Sequence, residues 1–86
     1  MLLRFTPQGW EDYNWWLGQD RKMAKRINLL ISDTLRTPFE GLGKPEALKH
    51  LLQGCWSRRI DGEHRLVYSA DKTGVTVHQC RYHYQD

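Results

Sequence analysis

The hydrophobic period of this chain changes once, and that change constrains its fold more than any other feature. From Trp10 to Thr34, apolar residues recur at spacings of three and four, as on a helix face. From Cys55 onward they fall in short runs divided by turn residues, as in strands. Such a pattern predicts two helices packed against a sheet within one domain, residues 1–86. A chain of 86 residues has no volume for a large enclosed pocket or a cofactor-binding subdomain, so any active site should be shallow and open.

The element boundaries carry their own signals. Leu2 to Phe5 has strand character and ends at Thr6-Pro7, where Thr6 can cap a helix and Pro7 can occupy its first turn. Trp10, Tyr13, Trp16 and Leu17 form an aromatic stripe expected to face the core, and Gly18 closes the segment. Asp20 can cap a second helix with Met23, Ile27, Leu30, Ile31 and Thr34 on one face and Arg21, Lys22, Lys25 and Arg26 on the other. Thr37-Pro38 stops it, because the residue before proline disfavours helical geometry. Phe39 to Pro45 then reads as a loop that delivers Glu46 to the surface.

Three antiparallel strands should follow. Asp61-Gly62 joins Cys55–Ile60 to Glu63–Ala70, and Asp71-Lys72-Thr73-Gly74 turns the chain into Val75–Tyr84. A two-residue turn would pair Ile60 with Glu63 and place Arg58 opposite Arg65, whereas a longer or bulged turn would change that register. Strand parity therefore leaves open whether Arg58 or Arg59 belongs to a site. If the last strand stays regular, Tyr82 and Tyr84 point away from His83.

Charge is uneven: residues 1–20 sum to −2, residues 21–50 to +4 and residues 51–86 to +1. The basic surplus suits a nucleic-acid partner but equally suits solvated helix faces. No apolar run reaches the roughly 18 residues needed to span a bilayer, and Met1-Leu2-Leu3-Arg4 lacks signal-peptide architecture, so the expected location is cytoplasmic. Cys55 and Cys80 lack C-x-x-C spacing and are expected as buried free thiols. The acids and histidines show no recognised zinc spacing, and Gly41-Leu42-Gly43 lacks the context of a phosphate loop, so no metal and no cofactor is expected. A core this small also makes dimerisation a natural expectation.

Six ordered blocks carry a resemblance: Arg36-Thr37-Pro38-Phe39-Glu40-Gly41, Gly43-Lys44-Pro45-Glu46, Leu48-Lys49-His50, Trp56-Ser57-Arg58-Arg59-Ile60, Glu63-His64-Arg65-Leu66-Val67-Tyr68 and Cys80-Arg81-Tyr82-His83-Tyr84. Over nearly its whole length the chain resembles the YoeB toxin family of the RelE/ParE-like superfamily. The resemblance implies an α+β fold of RelE-like type, a small antiparallel sheet with two N-terminal helices packed against it in the order β-α-α-β-β-β. It also implies a ribosome-dependent mRNA endonuclease that is paired with a YefM-like antitoxin. Departures include Ala47 where a second proline is typical, Leu51-Leu52-Gln53 and Cys55 before the tryptophan, and an added Gln85-Asp86.

Carried over by position, the resemblance implies Glu46 as general base, Arg65 as phosphate stabiliser and His83 as general acid, with Lys49, Arg59 and Tyr84 in support. The residues have a chemical reading of their own. RNA cleavage without a metal needs a base for the 2′-hydroxyl, charge on the phosphorane-like transition state, and an acid for the departing 5′-oxygen. Arginine offers a planar, permanently charged fork, and imidazole is the side-chain type that titrates near neutrality. His50, His64 and His78 compete with His83 on chemistry alone, and His50 stands as a reserve acid or base at the substrate. The same basic and aromatic residues would also serve a non-catalytic nucleic-acid-binding or regulatory domain, or a scaffold for an acidic partner.

Overall fold

The structure is a computed structural model and describes residues 1–85. Of the Gln85-Asp86 tail, Asp86, expected to add negative charge beyond Tyr84, lies outside the described residues. Strand β1 (Leu2–Phe5) leads into α1 (Pro7–Gln19) through Thr6, whose hydroxyl accepts the Gly9 N–H at 3.1 Å. Asp20 serves two helices. Its N–H donates to the Trp16 carbonyl and closes α1, while its carboxylate accepts from the Lys22 and Met23 N–H groups and opens α2 (Arg21–Arg36). Both helix starts therefore arise where side-chain acceptors meet otherwise unpaired backbone donors.

The second half contributes β2 (Glu46–Ala47), β3 (Trp56–Arg59), β4 (Arg65–Ala70) and β5 (Gly74–Gln79). The expected meander is present as β3–β4–β5, all antiparallel. Two strands extend it to the order β1-β5-β4-β3-β2, and β1 joins β5 in parallel, so the sheet is mixed rather than wholly antiparallel. Two helices intervene between β1 and the meander, so β1 is free to return to the far edge, a placement that its own alternation does not encode. The last strand stops at Gln79 instead of running to Tyr84.

Ile27, Leu30, Leu66, Tyr68, Val75 and Val77 form the centre of the core, each at most 1% exposed. Fully burying an aliphatic side chain of this size contributes about 1.5–3 kcal/mol. The α2 face is the expected one, with Ile27, Leu30, Ile31 and Thr34 buried. In α1 the buried face is Gly9, Asp12 and Trp16, rotated from the aromatic stripe. Trp10 remains 55% exposed and Leu17 37%, while Tyr13 is half-buried. The rotation has a steric cause: α1 crosses β5 so closely that a Cβ on Gly9 would overlap the Val77 carbonyl. Only the smallest residue permits that approach, and a glycine carries no hydrophobic signal.

Candidate active site

The hairpin turn holds three residues, since the Ile60 N–H still donates to the His64 carbonyl at 3.0 Å. Arg59 thus faces Arg65, and Arg58 faces Leu66, one step from the two-residue-turn register. That single step separates two adjacent arginines. Arg58 turns inward and is fully buried, while Arg59 remains exposed on the other face.

All five guanidinium donors of Arg58 are engaged. Nη1 donates to Asp33 Oδ2 at 2.6 Å and to the Leu42 carbonyl, Nη2 to the Thr37 and Glu40 carbonyls, and Nε to the Tyr68 hydroxyl. The Asp33 carboxylate also accepts from the Leu42 N–H and from Arg36. The Leu42 N–H and the Arg58 guanidinium hold its carboxyl below the ordinary range against the opposing effect of burial. Burial raises the Tyr68 phenol despite the adjacent Arg58 cation. Charge, carbonyls and phenol together clamp residues 37–42 onto β3.

The clamped loop continues through Gly43, whose carbonyl accepts the Arg59 N–H at 2.7 Å. Gly43 takes φ +79°, and a Cβ there would press on Arg59, Leu30 and Arg58 atoms, so the loop meets the strand edge without a side chain between them. The chain then enters β2, where Glu46 lies opposite Ser57. Ser57 and Arg59 share a face, and Arg65 is the cross-strand partner of Arg59. Arg65 is steadied by its own turn, with Nη1 donating to the Asp61 and His64 carbonyls at 2.8 and 3.1 Å.

The tail reaches the same face by leaving the sheet. The Trp16 indole N–H donates to the Cys80 carbonyl at 2.8 Å, and the Cys80 N–H donates to Asp12. Arg81 lays its guanidinium 3.6 Å from the Trp15 ring centre. Tyr82 adopts φ +62°, a left-handed conformation uncommon outside glycine, and its carbonyl accepts the Arg65 N–H at 3.1 Å. Strand parity therefore fails beyond Gln79, and His83 and Tyr84 turn toward the same place. Their rings lie tilted against each other, with centres 4.7 Å apart.

A cleft of about 380 Å³ results, lined by Lys44, Pro45, Glu46, Ser57, Arg59, Arg65, His83 and Tyr84. Glu46 is its single carboxylate among three fixed cations, and among the described residues no hydrogen bond or ion pair engages that carboxylate. Five sequence candidates, Glu46, Arg59, Arg65, His83 and Tyr84, thus meet in one cleft. Lys49 and His50 do not line it; His50 begins a short 3-10 turn (His50–Leu52) beyond β2. Lys44 and Ser57 join the lining unanticipated, although Ser57 shares alternation with Arg59. Among the described residues, no group of three or more His, Cys, Asp or Glu is placed to hold a metal ion, and no helix is long and apolar enough to cross a membrane.

Two helices on a mixed sheet, with an open cationic cleft bordered by the C-terminal tail, define a small protein of the RelE-like α+β fold. The particular family follows from direct comparison. Residues 5–84 match the model of the YoeB-like toxin of bacterial type II toxin-antitoxin systems. Toxin YoeB of Escherichia coli (strain K12) is 54% identical over 84 residues, covering 98% of this chain and 100% of that protein. The solved YoeB/ParE toxin from Agrobacterium tumefaciens superposes with a TM-score of 0.93 at 49% identity, covering 98% of this chain and 100% of the other. YoeB from a heterotetrameric YoeB-YefM complex of Staphylococcus aureus superposes at 0.89, and YoeB from a dimer of the same species at 0.91; each is 46% identical with 98% coverage of both chains. The chain belongs to the YoeB toxin family.

Proposed function

We propose that this toxin cleaves messenger RNA held on the ribosome, by acid–base catalysis without a metal, and so inhibits translation. The observation that carries the reading is the convergence of Glu46, Arg65 and His83, from three separate parts of the chain, on one open cleft. Glu46 takes the proton of the 2′-hydroxyl. The freed O2′ attacks phosphorus in line, and as the O2′–P bond forms the P–O5′ bond breaks. His83 delivers its proton to O5′, so the products are a 2′,3′-cyclic phosphate and a 5′-hydroxyl. Arg65 and Arg59 face the charge that grows on the non-bridging oxygens, where loss of one preorganised donor costs about 10²–10³ in rate. Tyr84, tilted against His83, offers a ring face to a base.

So open a cleft has little means of orienting a flexible strand, which supports a role for the ribosome in positioning it. Lys49 and His50, outside the cleft lining, belong in this reading to the approach of RNA rather than to the reaction. The setting is the cytoplasm. The YefM complex and the dimer formed by the Staphylococcus aureus relatives support a YefM-like antitoxin, and self-association, for this chain as well. An antitoxin segment laid over Arg65 and His83 would silence the cleft by occlusion.

The test is cleavage of a messenger on translating ribosomes in the presence of EDTA, with Glu46→Ala, Arg65→Ala and His83→Ala beside the native chain. A cyclic phosphate end made by the native chain and reduced about 10²–10⁴-fold in the Glu46 and His83 variants is expected. Binding without any cut would turn the reading to a regulatory nucleic-acid-binding domain.

A further inference from the structure

We infer that His64 is a positioning residue for His83, acting through the backbone of Tyr82. The inference rests on the reading of His83 as general acid, and its geometry can be tested apart from that reading. The Tyr82 N–H donates to His64 Nδ1 at 2.6 Å, and the Tyr82 carbonyl accepts the Arg65 N–H at 3.1 Å. His64, just before β4, and Arg65, its first residue, therefore hold both backbone groups of Tyr82, three residues beyond the last strand. These bonds secure the left-handed turn at Tyr82, a conformation that a non-glycine residue keeps only where its surroundings hold it. His83 is the next residue, so its direction of entry into the cleft is set at this turn.

The ring chemistry is specific. A backbone amide can only donate, so Nδ1 must present a lone pair, and the bonded imidazole is neutral with its proton on Nε2. Nε2 lies 3.6 Å from Glu63 Oε1, which places the proton-bearing side toward a carboxylate. The side chain is only 11% exposed, packed edge-on against Trp16 at 4.8 Å and tilted against Tyr82 at 5.3 Å. His64 thus cannot turn away without disturbing α1, and Trp16 holds the Cys80 carbonyl on the same tail. The two contacts aim the last residues as a unit.

The experiment compares native chain, His64→Phe and His64→Asn. Phenylalanine keeps a flat ring but offers no acceptor, whereas an asparagine side-chain oxygen can stand near the Nδ1 position. In the ribosome assay, His64→Phe should lose about 10²-fold in kcat with KM little changed, the scale expected for a misplaced catalytic group, while His64→Asn recovers to within about ten-fold of native. Equal cleavage by His64→Phe and native, or no recovery by His64→Asn, overturns the inference. Nitrogen-15 NMR of the native chain should show His64 protonated on Nε2 alone, and Tyr82 amide exchange should accelerate in His64→Phe. A proton on Nδ1, or an unchanged Tyr82 amide, overturns it whatever the activity. A native chain that cuts no RNA while the Tyr82 amide loosens in His64→Phe removes the acid role from His83 and keeps His64 as the anchor of the tail.

Discussion

Asp33 on α2 and Arg58 on β3 form a buried ion pair at 2.6 Å, with side chains 6% and 0% exposed. Its consequence lies in the loop between them. Through Arg58 the pair gathers the Thr37, Glu40 and Leu42 carbonyls, so the segment that delivers Glu46 is held by a helix and a strand together.

Replacing the two hairpin arginines should therefore produce opposite phenotypes. Arg58→Met leaves Asp33 and three loop carbonyls without their donor and should destabilise the fold by about 3–5 kcal/mol, the range for breaking a buried pair. Arg59→Met, on the exposed face, should change stability by less than about 0.5 kcal/mol and lower cleavage instead. Urea denaturation beside the ribosome assay separates the two effects.

Gly9→Ala should destabilise the chain although alanine is the better helix former. The added methyl would overlap the Val77 carbonyl, which belongs to the strand backbone and cannot move aside as a flexible side chain could. An overpacking cost of about 1–3 kcal/mol is expected, read as a lowered thermal midpoint. Gly18→Ala, with open space around the site, serves as the control.

Acid should weaken the fold through carboxylates that prefer to be charged when folded. Hydrogen bonds from the Thr73 hydroxyl and N–H and the Gly74 N–H pull Asp71 down to about 2, and Asp33 is lowered by its own donors. A depressed folded pKa means that the contribution is fully present above the ordinary carboxyl value of about 4 and is lost as pH falls through the folded value. Urea midpoints followed from about pH 5 to pH 2 should fall less steeply for Asp71→Asn than for the native chain.

Cys80 should be inert to thiol reagents while the chain is folded. Burial, with Asp12 adding to it, pushes its thiol up to about 12, and the residue is 0% exposed. In a Cys55→Ser chain, a disulfide reagent at neutral pH should react only once denaturant unfolds the protein. Rapid reaction in buffer would show that the tail opens at Cys80.

Legibility in the sequence followed the range of the interaction. Thr6 and Asp20 could be recognised as caps because a cap and its target N–H lie within three residues. The α2 face could be read because a helix repeats its apolar positions locally. The α1 face could not, because what buries Gly9 and Asp12 is the nearness of β5 and the Cys80 N–H. The hairpin was evident from Asp61-Gly62, yet its three-residue turn moved the register by one and decided which arginine faces the cleft.

The sequence by itself determined the two helix starts, the meander and, apart from the short edge strand β2, the order of elements, together with the residue types able to handle a phosphodiester. All of these depend on neighbours a few positions apart or on the chemistry of single side chains. Tertiary structure alone decided that β1 returns parallel to β5, that Arg58 is a clamp while Arg59 lines the cleft, and that the tail leaves the sheet at Gln79 so that His83 and Tyr84 enter together. Those outcomes rest on hydrogen bonds between residues distant in sequence, such as Tyr82 to His64, 18 positions apart, and Cys80 to Asp12, 68 apart, and no local pattern along a chain records such pairings.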